Sequence, residues 1–189
     1  MTTILGVPGS LRQGSLNRAL LENARSLMPS GSTLEVAGID GIPLYDGDLE
    51  RDQGIPPAVM ALKDRIAAAD GLLLASPEYN NSLPGPFKNA VDWLTRPPED
   101  IPRVFHGRAV AVVGASPGGF GTILAQNAWL PVLRTLRMRP WLGGRLMVSG
   151  AHRLIDDNGR LTDDKTRKAL EDFVAGFVAF VGGPGSRSS

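Results

Sequence analysis

Gly9-Ser10-Leu11-Arg12-Gln13-Gly14-Ser15-Leu16-Asn17 is the stretch on which the reading of the fold turns. It follows an apolar run at residues 4–7 and precedes a helical pattern that begins near Leu16. That succession predicts a strand, a turn and the start of a helix. A helix start leaves backbone N–H groups unpaired and carries a partial positive charge, which suits a phosphate. Arg12 adds a planar fork of donors, and Ser10, Ser15 and Asn17 add polar groups without bulk. The same residue types also serve as ordinary helix caps, so this turn by itself leaves both readings open. It is neither a G-x-G-x-x-G fingerprint nor a P-loop, because the glycines and the Gly-Lys-Ser/Thr run are missing. A single terminal phosphate, held by side chains as well as backbone, fits it better.

Outward from this turn, apolar periodicity alternates between two kinds. Residues 3–8, 33–39, 71–76 and 108–115 read as strands, and a fifth lies within 136–148. The third and fourth, around Leu72-Leu73-Leu74 and Val110-Ala111-Val112-Val113, lack polar alternation and suit the middle of a sheet covered on both faces. Helices are predicted over 16–28, 57–69, 87–95, 122–136 and 163–181, with Pro131 forcing a kink or a late start in the fourth. Residues 41–57 read as an irregular loop. Strictly alternating strands and helices imply a parallel sheet with helices on both faces. Five strands favour the flavodoxin-like order 2-1-3-4-5, a three-layer sandwich. The chain reads as one domain over residues 1–182, followed by a flexible tail at 183–189.

Composition narrows the function. The 189 residues carry 20 basic and 19 acidic side chains, a net charge of +1, which gives no reason to invoke nucleic acid or a membrane surface. Without cysteine there is no thiol nucleophile or thiolate metal site, and two distant histidines, His106 and His152, make a histidine metal cluster a poor expectation. No segment has the length of a membrane span and no leader-like run opens the chain, so the cytoplasm is the expected location.

In a sheet of this order, ligands bind beyond the carboxyl ends of strands 1, 3 and 4. The turns leaving those strands are residues 10–17, 77–86 and 116–121, and they are also the turns richest in polar donors and glycine. The first suits a phosphate. The second has Glu78, Tyr79, Asn80 and Asn81 beside prolines that stiffen it, and a flat ring can lie against the tyrosine. The third has Ser116, Gly118, Gly119 and Gly121, where missing side chains let backbone amides approach closely. A phosphate joined to a flat, polar-edged ring describes flavin mononucleotide.

The segments "GSLRQGSLN", "SPEYNNSLPGPFKNAVDW" and "GASPGGFG" resemble the NADPH-dependent FMN reductase family, which includes quinone, chromate and azo reductases. The resemblance runs from Thr3 to about Phe180. It implies a flavodoxin-like fold, bound FMN, and a homodimer or homotetramer in which the helix at 87–95 contributes to the contact. It also implies that Ser10, Arg12, Ser15, Leu16 and Asn17 hold the FMN phosphate. Pro77, Glu78, Tyr79 and Asn80 would border the isoalloxazine, and Ser116 with Gly118, Gly119 and Gly121 would close the other side. Phe120 is bulkier than the family pattern leads one to expect.

The implied reaction is ping-pong. Hydride passes from NADPH or NADH to FMN N5, the nicotinamide leaves, and a small-molecule acceptor such as a quinone, chromate, azo compound or flavin takes its place. The cofactor carries the hard step, so no acid–base residue is required. Arg12 could serve the FMN phosphate alone or also the NADPH 2′-phosphate. Two other readings keep FMN but change the role: a flavodoxin-type electron carrier without its own NAD(P)H turnover, and a regulatory FMN-binding subunit. The near-zero net charge argues against the carrier, which is ordinarily acidic.

Overall fold

A computed structural model describes residues 1–183. The element order is β1 Thr2–Pro8, α1 Leu16–Ser26, β2 Ser32–Val36, α2 Gly47–Gln53, α3 Pro57–Ala68, β3 Gly71–Ala75 and α4 Gly85–Leu94. It continues through α5 Ile101–Val104, β4 Ala109–Ala115, α6 Ile123–Thr135, β5 Arg139–Pro140, β6 Leu146–Val148 and α7 Asp164–Val181. The sheet is parallel in the expected order β2-β1-β3-β4-β5, and β6 also pairs with β4. The expected fifth strand is thus two short pieces on one neighbour, interrupted by residues 141–145.

The uniformly apolar strands sit where their composition puts them. Side chains alternate across a strand, so Leu72 and Leu74 enter one core layer and Leu73 and Ala75 the other. The first layer packs the sheet against α3, α4 and α6 through Val59, Leu62, Phe87 and Trp129. The second packs it against α1 and α7 through Leu20, Leu21, Leu170 and Phe177. Each fully buried leucine contributes about 2 kcal/mol from apolar transfer.

Two local readings are revised. The stretch read as an irregular loop contains α2, capped by the Asp46 side chain on the Asp48 N–H at 2.8 Å. Its approach is strapped to α4: the Pro43 carbonyl accepts from Asn89 Nδ2 and Trp93 Nε1, and the Tyr45 ring meets the Trp93 ring edge-on at 5.0 Å. Trp93 is fully buried, a packing residue. Of the kink or late start expected from Pro131, the late start is absent: α6 begins at Ile123 and runs through the proline. Its missing N–H forgoes one bond on an exposed face of the helix, where water can replace it. Six of the seven residues expected as a tail, 184–189, lie outside the described residues.

The connection from α4 to β4 is held by charge. Lys63 Nζ, fully buried, donates to Asp100 Oδ2 at 2.8 Å and to the Arg96 carbonyl. Lys63, and then Arg103, hold the Asp100 carboxyl below the usual carboxylate range. A depressed carboxyl pKa contributes stability above its unfolded value, about 3.9, and that contribution is lost as pH falls through the folded value. Asp100→Asn is therefore expected to lower the urea midpoint at pH 6, with the gap from the parent narrowing as pH falls below about 4. Urea titrations across that range check it, and a gap independent of pH contradicts it.

Candidate active site

β1, β3 and β4 end side by side, and the three turns that leave them converge. Backbone bonds start the convergence: Gly9 N–H donates to the Ala75 carbonyl, Ser76 N–H to Val113 and Ser116 N–H to Val148. Side chains complete it. Asn17, at the start of α1, is 3% exposed. Its Nδ2 donates to the Ala115 carbonyl at 3.0 Å and its Oδ1 accepts the Ala115 N–H at 2.9 Å. Trp129 Nε1 donates to Ser76 Oγ at 2.9 Å, and Ser76 Oγ donates to the Pro77 carbonyl at 2.9 Å. Gly9 lets the Phe87 ring close over the chain, since a Cβ there would lie 2.0 Å from Phe87 Cδ1.

The first turn keeps an open row of donors. Ser15 Oγ caps α1 by accepting the Arg18 N–H at 3.2 Å, and Ser10 Oγ accepts the Arg12 N–H at 3.3 Å. The backbone N–H groups of Gln13, Gly14, Ser15, Leu16 and Asn17 find no acceptor among the described residues. The Arg12 side chain is exposed and makes no ion pair among the described residues, whereas Arg18 pairs with Asp40 at 3.3 Å. Ser15 thus caps and leaves the adjacent donors unused; both readings of this turn hold at once.

The second turn is a two-residue reversal. Tyr79 and Ser82 exchange backbone bonds of 3.2 and 3.1 Å, with Asn80 and Asn81 at φ 51° and 61°. Positive φ at both central positions marks the type I′ turn, which asparagine tolerates better than most residues. Pro77 is buried beneath it, while Tyr79 and Asn80 are exposed. Glu78 points away from its neighbours' direction: its Oε2 accepts the N–H groups of Leu124 and Ala125, at 2.8 and 3.0 Å, at the start of α6.

The third turn folds on itself. Ser116 Oγ donates to the Gly121 carbonyl at 2.6 Å, and Gly121 has φ 62° with the Met147 backbone close behind it. A Cβ at Gly119 would meet nothing within 4 Å, and one at Gly118 only Ser116 Oγ at 3.7 Å. Phe120, between Gly119 and Gly121, stands 83% exposed.

The donor set fits a phosphate ester with a flat ring. The five N–H groups and the Arg12 guanidinium, without acceptors among the described residues, suit an anion, and the backbone at Gly118 and Gly119 is open. All predicted site residues lie on the three turns. Asn17 and Glu78 spend their polar atoms on the scaffold, and sequence reading missed the partners of that scaffold, Ser76 and Trp129. A tryptophan inside an apolar helix pattern carries no mark of a hydrogen bond to a strand end.

Residues 2–153 match the profile of the family described as NADPH-dependent FMN reductase. The chain belongs to that family. It is 46% identical over 168 residues to an NAD(P)H-dependent FMN reductase of Pseudomonas aeruginosa, covering 89% of each chain. It is 38% identical over 175 residues to a 2-hydroxy-1,4-benzoquinone reductase of a Burkholderia species, covering 93% of each. Among solved structures it superposes on FerB, a flavoenzyme NAD(P)H:(acceptor) oxidoreductase from Paracoccus denitrificans. The TM-score is 0.84 at 35% identity, covering 96% of this chain and 97% of that one. Because the buried Asn17 amide ties the first turn to the end of β4, it is expected to be costly to lose. Asn17→Ala strands a buried N–H and a buried carbonyl of Ala115, so unfolding free energy should fall by about 2–4 kcal/mol without any ligand. Urea denaturation of the apoprotein checks this, and a loss under about 0.5 kcal/mol contradicts it.

Proposed function

We propose that the cleft holds FMN and that the protein uses it to pass electrons from NADPH or NADH to a quinone. The family makes the chain an FMN-dependent NAD(P)H oxidoreductase; the residue roles and the acceptor are our reading. The observation that carries it is the row of unused N–H groups at Gln13–Asn17 beside the unpaired Arg12. A phosphate monoester brings two negative charges and three acceptor oxygens to such a row, and charge-assisted bonds of this kind are the strong ones.

Arg12 and the N–H groups of residues 13–17 hold the phosphate, with Ser10 and Ser15 shaping the turn. Leu16 gives the turn its apolar anchor beside the second core layer. Asn17 acts indirectly, by fixing that turn to the end of β4. Pro77, Tyr79 and Asn80 would border the ring on one side and Ser116, Gly118, Gly119 and Gly121 on the other. Bound FMN would supply the redox chemistry between nicotinamide and acceptor. The chain orients it and lines its polar edge with backbone donors, which favour the anionic reduced form. The benzoquinone reductase among the relatives supports a quinone as acceptor. A cytoplasmic homodimer or homotetramer, joined in part through α4, completes the reading, with residues 1–182 as one reductase domain. No helix among the described residues is long and apolar enough to cross a membrane.

Steady-state NADPH and NADH oxidation with a benzoquinone tests the function. Turnover with the yellow holoprotein is the expected result. Bound FMN that neither nicotinamide reduces would favour the electron carrier instead. Arg12→Ala removes a charged donor pair worth about 1.5–3 kcal/mol, so the FMN dissociation constant should rise about tenfold or more. Flavin fluorescence titration reads it, and an unchanged affinity removes Arg12 from the phosphate site.

A further inference from the structure

We propose that Glu78 is a positioning residue whose carboxylate clamps the Tyr79–Asn80 turn onto the first turn of α6, setting the spacing of the cleft around the flavin ring. The proposal rests on the FMN reading above. Three helices, α1, α2 and α7, are capped by the side chain of the residue just before them, Ser15, Asp46 and Asp163. α6 has no such cap. The residue in that position, Thr122, is buried, and its Oγ1 accepts from Gln126 Nε2 at 3.1 Å. It also fills the space over Gly114, where a Cβ would sit 1.8 Å from Oγ1. Its hydroxyl is committed inward, and the N–H groups of Leu124 and Ala125 turn to a carboxylate 46 and 47 residues earlier in the chain.

That borrowed cap has two consequences. Glu78 is covalently next to Tyr79, so the bond to α6 fixes one wall of the cleft relative to the Gly118–Gly121 turn that leads into α6. A carboxylate cap also offsets the partial positive charge of the α6 terminus, while α1 has only the neutral Ser15 cap, and with the turn before it offers five N–H groups that find no acceptor among the described residues. The anion-attracting end is therefore that of α1, and the ring end of the cleft is left without a competing phosphate site.

The test measures FMN dissociation constants of the apoprotein by flavin fluorescence quenching, for the parent, Glu78→Ala, Glu78→Gln and Asp100→Asn. Losing the clamp should raise the constant about tenfold in Glu78→Ala, the equivalent of a lost helix cap. Glu78→Gln keeps the shape and an acceptor oxygen but not the charge, and should rise about threefold. Asp100→Asn weakens the fold beyond the opposite end of the sheet, before β4, and should lower thermal stability with FMN affinity unchanged. Constants within about twofold of the parent in both Glu78 variants overturn the clamp, as does an equal rise in Asp100→Asn. If Glu78→Ala does not fold, the Gln variant decides on the same criterion. A parent that quenches no flavin overturns the FMN reading itself, and the clamp with it.

Discussion

The amide of Asn17 lies against the peptide of Ala115, 98 residues away, giving and taking one hydrogen bond each. The rest of the cleft depends on that pairing. A parallel sheet aligns the strands but says nothing about the segments beyond their ends, where ladder bonds stop. Asn17 takes up the peptide of Ala115, the last residue of β4, and locks the first turn of α1 to it. Because the pair is buried, neither partner has water as an alternative, and the cost of separating them is high.

Around this pairing, the polar residues divide into those that build the cleft and those that face it. Ser76, Asn17, Glu78 and Trp129 satisfy each other or nearby backbone and hold the turns at fixed separations. The side chains of Arg12, Tyr79 and Asn80 and the N–H groups of residues 13–17 find no partner among the described residues. Such a division suits a cofactor that does its own chemistry. A flavin needs a shaped, electrically biased bed rather than a catalytic side chain, and its reactivity is tuned by what surrounds it. A bed formed before binding also spares the ligand the entropy of ordering it.

Much of this was legible in the residues. The uninterrupted Leu72-Leu73-Leu74 run could only be an interior strand, and the three turns after β1, β3 and β4 stood out by their glycine and polar content. The roles inside those turns were not legible. Asn17 and Glu78 read as ligand groups because a polar side chain in a turn shows its chemistry but not its partner, and the partners are 98 and 46 residues off. α2 was missed because its seven residues include no buried one, so no apolar stripe announces it; its Asp46 cap was the available signal. In the gap between β5 and β6, Trp141 packs against Phe173 and Phe177 of α7, a contact that no local pattern announces.

The central claim is that the three turns are locked together before any ligand arrives and that the N–H donors of residues 13–17 wait for an anion. Amide hydrogen exchange, read residue by residue by NMR with and without FMN, tests it most directly. The Ala115 amide should already be protected in the apoprotein, and the amides of residues 13–17 should exchange freely until FMN protects them. An Ala115 amide that exchanges freely without ligand, or residues 13–17 that gain no protection when FMN is bound, would contradict it.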